Sequence, residues 1–370
     1  MKKFQWLAKE AQVLIIDHVG STYLINWCLP EKIIYEVVNI RQRIPIFFSL
    51  SFFADVFFKT ITLRINRLSF LQCLINQIKP RIVLTTTDNM KIFGRLSLLN
   101  PDVSFLSIQN GSRSNRHQSN GGWSNDFYIP VYLGFGSIEK ELMTLNKVNF
   151  ERYLGVGSLR LGIFLDNEDT AKNHKGKFIS IISQWSPSSP GWTEMEKIFL
   201  DTFPQIFDIA NERKLEIQVI LRNIDKKRVK DEIKWFQSVD KRFNNFIFNE
   251  PYTFSSYRAA FHSQLVVGLD STLCFEMLGA YQKVFFLLTY SKNAVTLRAG
   301  EHFDRNLPDM LKASEQEKIR EKIITLLDME DSRYNDLIAE PREVFMCNTK
   351  PHPHEIIKEL IIEKCTQHSK

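Results

Sequence analysis

The chain reads as an α/β protein made of two successive doubly wound domains. Three observations carry that reading. Short apolar runs alternate with helix-like stretches along most of the 370 residues. The runs end in polar clusters, as strands do where they emerge at the carboxyl edge of a parallel sheet. The alternation stops in a polar segment near residue 170 and then restarts, which marks a linker between two units. Length alone makes two domains the natural expectation.

Composition sets the outer bounds. The apolar fraction is 44% and the charged fraction 24%, normal for a chain with real cores. No run reaches the roughly 18 apolar residues of a spanning helix, and Lys9 and Glu10 interrupt any leader-like apolar core at the N-terminus. Cys28, Cys73, Cys274, Cys347 and Cys365 are scattered without a Cys-x-x-Cys pair. That spacing predicts reduced thiols in a cytoplasm and no zinc site. The net charge of +6 is a mild bias toward anionic partners. It is spread without a basic stripe or RNA module, so nucleic acid is not an expected partner.

The elements follow in order. Val13–Asp17, Arg81–Thr87 and Val103–Ile108 are near-continuous apolar runs, expected as parallel strands covered on both faces. They end in Asp17-His18, Asp88-Asn89 and Gln109-Asn110-Gly111. Segment 68–78 has the spacing of an amphipathic crossover helix. Val131–Phe135 and Tyr153–Val156 are expected as further strands, the last ending in Gly157-Ser158. Residues 163–177 read as the linker. Beyond it, strands are expected at Phe178–Ser183, Glu216–Leu221, Asn245–Phe248, Leu265–Leu269 and Val284–Leu288, with helices at 193–212 and 226–238 and an amphipathic helix at His354–Lys364. The domains are therefore placed at about 1–160 and 175–345, with a last helix at 352–366 returning toward the first.

The most informative stretch is 265–279. A buried strand runs into Asp270-Ser271-Thr272 and a helix starts at once, with Glu276 early in it. The free N–H groups and positive dipole end of such a helix suit an anion. The segment reads as a seat for a phosphate or diphosphate, with Glu276 placed for a sugar hydroxyl. The alternative is an ordinary capped helix with Asp270 or Ser271 as cap.

Several segments resemble bacterial surface-carbohydrate biosynthesis proteins of the GT-B glycosyltransferase type. These are Ile78–Asn89 with its Lys79-Pro80 and Asp88-Asn89, Phe105–Arg113 with Gln109-Asn110-Gly111, Gly155–Leu159, and Asp270–Glu276. The last is also similar to the corresponding turn of Kdo transferases and, more distantly, of teichoic-acid glycerophosphotransferases. The resemblance implies two Rossmann-like domains facing across a cleft, the C-terminal one binding a nucleotide-activated donor (CMP-Kdo-like or an NDP-sugar). It implies a lipopolysaccharide or capsule glycan as acceptor, and a place in the cytoplasm or on the inner face of the membrane. Two departures point to a donor of its own: Arg222-Asn223 stands where His-Pro is usual, and Cys274 where glycine is common.

Sugar transfer must stabilise a leaving phosphate and often deprotonates a hydroxyl. No Asp-x-Asp metal motif occurs, and no His/Cys cluster has zinc spacing. No metal or cofactor is expected, and the countercharge falls to Ser271, Thr272 and Arg222. The donor wall is completed by Ser183, Gln184 and Trp185, with Trp192 nearby, by Asn223, and by Glu250 and Tyr252 at the corner for the base. The acceptor wall is Gln109, Asn110, Gly111 and Arg113. Asp88 leads the candidates for the acceptor-side chemistry, with Asp17 and Asp126 as the other carboxylates and His117 in the polar loop Ser112–Ser124 as the histidine alternative. The aromatic segment 44–58, flanked by Arg41, Arg43, Lys59, Arg64 and Arg67, reads as a core helix, or alternatively as a face for an anionic membrane. Two readings compete with a transferase: a nucleotide-sugar 2-epimerase, and a non-catalytic nucleotide- or glycan-binding subunit of an assembly complex.

Overall fold

A computed structural model describes residues 10–17, 19–39, 67–112, 127–168, 175–189, 192–250, 252–287, 305–313 and 318–366. The aromatic segment 44–58, most of its basic flank, and the loop carrying Arg113, His117 and Asp126 lie outside the described residues.

Two parallel sheets form the frame. The first holds β1 (Val13–Ile16), β2 (Tyr35–Val38), β3 (Ile82–Thr85), β4 (Ser104–Ile108), β5 (Tyr128–Gly134) and β6 (Asn149–Gly155) in the order β2-β1-β3-β4-β5-β6. The second holds β7 (Phe178–Ile182), β8 (Glu216–Ile220), β9 (Phe246–Ile247), β10 (Leu265–Gly268) and β11 (Val284–Phe286) in the order β11-β10-β7-β8-β9. Both orders reverse direction once, between β1 and β3 and between β7 and β10. At such switch points neighbouring crossovers go to opposite faces and open a crevice at the carboxyl edge.

Strand patterning explains the layers. On β1, Leu14 and Ile16 join one core with Val83, Phe105 and Leu74, whereas Val13 and Ile15 join another with Ile82, Leu84 and Ile357. Alternate residues thus serve opposite faces of one sheet, which is why the run is apolar throughout. The edge strand β2 escaped the sequence reading because only Val38 of its four residues is buried.

The helices in chain order are α1 (Ser21–Tyr23), which continues as a π-helical stretch Leu24–Cys28, α2 (Arg67–Ile78), α3 (Lys91–Leu99), α4 (Ile138–Leu145), α5 (Leu159–Asn167), α6 (Trp192–Glu212), α7 (Lys226–Val239), α8 (Ser255–Phe261), α9 (Thr272–Gly279), α10 (Ile319–Asp328), α11 (Asp331–Phe345) and α12 (Pro353–Thr366). The segment expected as a linker from residue 163 is helical at its start. Ser158 caps α5, its Oγ accepting from Leu161 N at 3.3 Å, and Ile163 and Phe164 are buried in its middle. Among the described residues no helix is long and apolar enough to cross a membrane.

The chain returns to its first half at the end. Ser137 N donates to Glu343 O at 3.2 Å and Cys347 N to Phe135 O at 2.8 Å. Asn348 exchanges two hydrogen bonds with the Ser158 backbone, at 2.7 and 3.0 Å. α12 then packs on the π-helical stretch, α5 and β3. Its start is fastened by Asp166, whose two oxygens meet His352 Nε2 at 3.3 Å and His354 Nε2 at 2.8 Å.

Two predictions follow from this packing. A Cβ added to Gly94 on α3 would stand 1.9 Å from the Tyr128 carbonyl oxygen of β5. Gly94→Ala is expected to cost about 1–3 kcal/mol despite its better helix propensity, read as a lower Tm; an unchanged Tm contradicts the contact. Burial holds the His354 imidazole below its ordinary value, against the pull of Asp166 and Glu355. The unfolded chain then takes up a proton that the folded chain resists. The stability tied to His354 is present above its unfolded value of about 6.5 and lost as pH falls through the lower folded value. Tm should drop on acidification, and His354→Gln should flatten part of that drop. Parallel pH profiles for parent and variant would refute it.

Candidate active-site cleft

A cavity of about 480 Å³ opens at the switch point of the second sheet and reaches residues of both halves. Its floor is the start of α9. Ser271 occupies the cap position with extended backbone (φ −63°, ψ 140°), and its hydroxyl makes no cap bond. The first amide groups of a helix have no intrahelical acceptor, so α9 presents donors and its positive dipole end to the cavity. Thr272 also lines it, and its Oγ1 accepts from Ser112 N of the first half at 3.0 Å.

Two buried clasps fix this edge. Gln184 Nε2 donates to Asp270 Oδ1 at 2.6 Å, while its Oε1 accepts from the Leu269 and Asp270 amides, both at 3.1 Å. Gln184 therefore ties the end of β7 to the end of β10; neither it nor Asp270 lines the cavity. Glu232 of α7 is the second clasp. Its carboxylate accepts from Arg222 N at 2.9 Å, Asn223 N at 3.1 Å, Asn223 Nδ2 at 2.8 Å, and Ser183 Oγ. It turns the corner after β8 so that Ser183 and the exposed Arg222 face the cavity. Trp185 is half-buried and outside the lining, and Trp192 is buried edge-on against Trp235 at 5.3 Å. Trp192, near the donor wall in the sequence reading, packs there and does not line the cavity.

Glu276 is buried in the cavity wall. Its Oε1 accepts from Ser158 Oγ at 2.5 Å and from Tyr257 OH at 2.8 Å. Burial drives the Tyr257 phenol well above its ordinary value, with Arg160 pulling it down and Glu276 pushing it up. Tyr257, then Glu276 and Tyr23, raise the Arg160 guanidinium further, against the cost of its burial. Arg160 is a fixed cation here, and its Nη2 donates to Asn110 O at 3.2 Å.

A second cavity of about 240 Å³ lies against the switch point of the first sheet and takes in Thr86, Gln109, Asn110 and Ser158. Val19, Gly20, Tyr23 and Arg160 line both cavities and so mark their junction. Aromatic contacts close the junction: Tyr23 lies 5.5 Å from Tyr252 and 5.9 Å from Phe254. Tyr252 (φ 66°) and Phe254 (φ 55°) are both left-handed, as is Asp17 (φ 80°). Strain of this kind persists only where its surroundings hold it, commonly at sites of function.

The expected residues divide accordingly. Ser183, Arg222, Glu250, Tyr252, Ser271, Thr272 and Glu276 line the larger cavity, and Gln109 and Asn110 the smaller. Asn223 and Gly111 serve the loops, Gly111 O accepting from Gln109 Nε2 at 3.0 Å. Asp88 is buried and accepts from Tyr132 OH at 2.7 Å; Asp17 is buried and accepts from Thr87 Oγ1 at 2.7 Å. Neither lines either of these two cavities. Arg160, Tyr23, Tyr257, Ser158 and Glu232 were not singled out as site residues. A lone cation in the apolar stretch Leu159–Phe164 was the readable signal for Arg160; the others gave none. Among the described residues no group of three or more His, Cys, Asp or Glu is placed to hold a metal ion.

Glu232→Gln tests the corner. The amide would turn a donor toward groups that themselves donate, at a cost of about 1–3 kcal/mol for each buried partner left unpaired. Lower Tm and weaker ligand binding at the Arg222 side are expected. A variant matching the parent in both would show that the corner does not depend on Glu232.

Comparison with known proteins agrees with this architecture. A variant of the wall teichoic acid polymerase TagF superposes with a TM-score of 0.59 at 10% identity, covering 97% of this chain and 90% of that one. A TagF structure soaked with CDPG gives 0.58 at 9%, covering 96% and 88%. The UDP-GlcNAc 2-epimerase from Neisseria meningitidis bound to UDP-GlcNAc gives 0.54 at 12%, covering 95% and 99%. At such identities the likeness shows the fold, two parallel α/β units of the GT-B type. No curated protein matches the sequence. Residues 106–303, more than half of the chain, match the family described as "putative O-antigen biosynthesis protein", and the chain belongs to that family.

Proposed function

We propose that the protein is a glycosyltransferase that moves a sugar from a nucleotide-activated donor to a glycan acceptor of the O-antigen kind. The observation that carries this reading is the larger cavity. It sets the start of α9, Arg160, Arg222 and Glu276 around one space at the switch point of the second sheet. Family membership supports the surface-glycan side of the reading.

The cavity suits an elongated donor. From the end of β10 it crosses the ends of β7 and β8 to Asn249 and Glu250 beyond β9. Three strand spacings make about 14 Å, room for phosphates at Ser271 and a base near Glu250. In the transfer, the bond from the sugar carbon to the phosphate oxygen breaks and the pair stays on the phosphate. The α9 amides and Arg160 meet that charge, with Arg222 at the rim. The acceptor hydroxyl enters from the smaller cavity, where Gln109 and Asn110 lie; its oxygen bonds to the sugar carbon and its proton passes to the departing phosphate or to water. Asp88, the first sequence candidate for the base, has one oxygen on Tyr132 and acts in this reading by positioning the loop after β3. Asp88→Asn should therefore lower Tm with kcat largely kept; a stable variant with kcat down about 10²-fold would restore it to the chemistry.

Incubation with a panel of CMP-, UDP-, GDP-, CDP- and dTDP-sugars tests the whole reading. Slow hydrolysis of one donor is expected. Conversion to an epimer would establish the 2-epimerase instead, and tight binding without turnover a binding subunit. Arg160→Ala and Ser271→Ala should each weaken binding of the accepted donor, Arg160→Ala by about 10–100-fold, the size of a lost charge-assisted hydrogen bond. Donor affinity unchanged in both would place the phosphates elsewhere.

A further inference from the structure

The face of α7 turned to solvent carries a charge pattern that the donor site does not use. Between residues 222 and 234 there are six cations and three acids, a surplus of three and half of the chain's net charge of +6. Lys226, Lys230 and Lys234 follow at intervals of four and Lys227 stands beside them, so these lysines form one stripe on the helix. All four are exposed, and no ion pair among the described residues takes any of them. The local acids are engaged elsewhere: Asp225 caps the helix through Arg228 N at 3.1 Å, and Glu232 points inward to the corner it clasps. Glu196 of the neighbouring α6 accepts from Trp235 Nε1 at 2.7 Å. Asp225 and Asp231 are the exposed acids within the run, against six cations.

This arrangement works against the helix. Lys226, Lys227 and Arg228 occupy its first turn, where the positive dipole end disfavours cations. Like charges four apart repel as well. Ile224, just before the helix, is 64% exposed and lines the rim of the larger cavity, as does Arg222. An unpaired basic stripe beside an exposed aliphatic residue fits an anionic surface with an apolar layer beneath it.

We propose that this face of α7, with Ile224, is a docking surface for a bilayer of anionic phospholipids. The inference does not depend on the transferase reading. It puts the membrane at the rim of the cavity, because Arg222 and Ile224 belong to both surfaces.

The test is co-sedimentation of the full chain with vesicles of phosphatidylcholine alone or with roughly a third phosphatidylglycerol, at low and at high salt. The protein should pellet with the anionic vesicles, stay in solution with the neutral ones, and be released by salt. The quadruple variant Lys226→Gln, Lys227→Gln, Lys230→Gln, Lys234→Gln should lose about 10²–10³-fold in partitioning, at about a factor of five for each lysine near the surface. The double variant Lys226→Gln, Lys230→Gln should lose about 10–50-fold by the same measure, with Tm equal to the parent or higher. A matched control, Lys32→Gln, Lys140→Gln, Lys147→Gln, Lys358→Gln, should bind as the parent does. The proposal is overturned by parent-like binding of the quadruple variant, by an equal loss in the control, by no preference for anionic over neutral vesicles, or by heparin binding of the parent that outcompetes the vesicles.

Discussion

The hydrogen bond from Ser158 Oγ to Glu276 Oε1 holds the two halves of the protein in register. Ser158 caps α5 at the end of the first sheet, and Glu276 sits within α9 at the switch point of the second. A carboxylate buried this deeply is tolerated only if its lone pairs are used. One oxygen takes both the Ser158 hydroxyl and the Tyr257 phenol. The position of α9, and with it the proposed anion seat, is set by the same contact that fixes α5. Arg160, two residues beyond Ser158, is delivered to the junction of the two cavities as a consequence. The bond is short and shielded, so solvent and salt screen it little.

The same device recurs along the cleft. Asp17 holds Thr87, joining the ends of β1 and β3, and Asp88 holds Tyr132 of β5. Glu139 takes Gln109 Nε2 at 2.7 Å and Gly136 N at 3.3 Å, fixing the loops after β4 and β5. Asp270 and Gln184 close β7 on β10, and Glu232 turns the corner after β8. Loops at a carboxyl edge must expose some backbone groups to a ligand and satisfy the others internally. Buried carboxylates do the second task here, and Ser271, Thr272, Arg160 and Arg222 line the larger cavity.

This division explains what was legible in the sequence. The parallel strands could be read because burial on both faces leaves unbroken apolar runs such as Val13–Ile16 and Leu265–Gly268. The start of α9 could be read because an apolar run, a polar triplet and a helix adjoin without a gap. The inward or outward aim of a strand-end acid could not. Asp17, Asp88 and Asp270 share a local pattern with residues that line the cleft, and only the neighbouring strands decide that they face inward. Glu232 was hidden for a related reason: its partners Arg222 and Asn223 lie ten and nine positions away, across a turn and a helix. Ser158 and Glu276 are 118 residues apart, beyond the reach of any local pattern.

Among the described residues three sources of positive charge reach the larger cavity, and physical considerations rank them. The start of α9 offers about half an elementary charge, effective only within its first turn. Arg222 carries a full charge but is exposed, and solvent and salt screen it there. Arg160 also carries a full charge, is half-buried, and is oriented by the Asn110 carbonyl. A fixed, partly desolvated cation needs little reorganisation when charge develops beside it, which is where preorganised electrostatics act most strongly. Its position at the junction of both cavities puts it beside the bond that breaks in the proposed transfer. In the proposed transfer Arg222, the arginine that sequence reasoning chose, would serve attraction and placement at the rim, and Arg160 would carry the larger share of the countercharge.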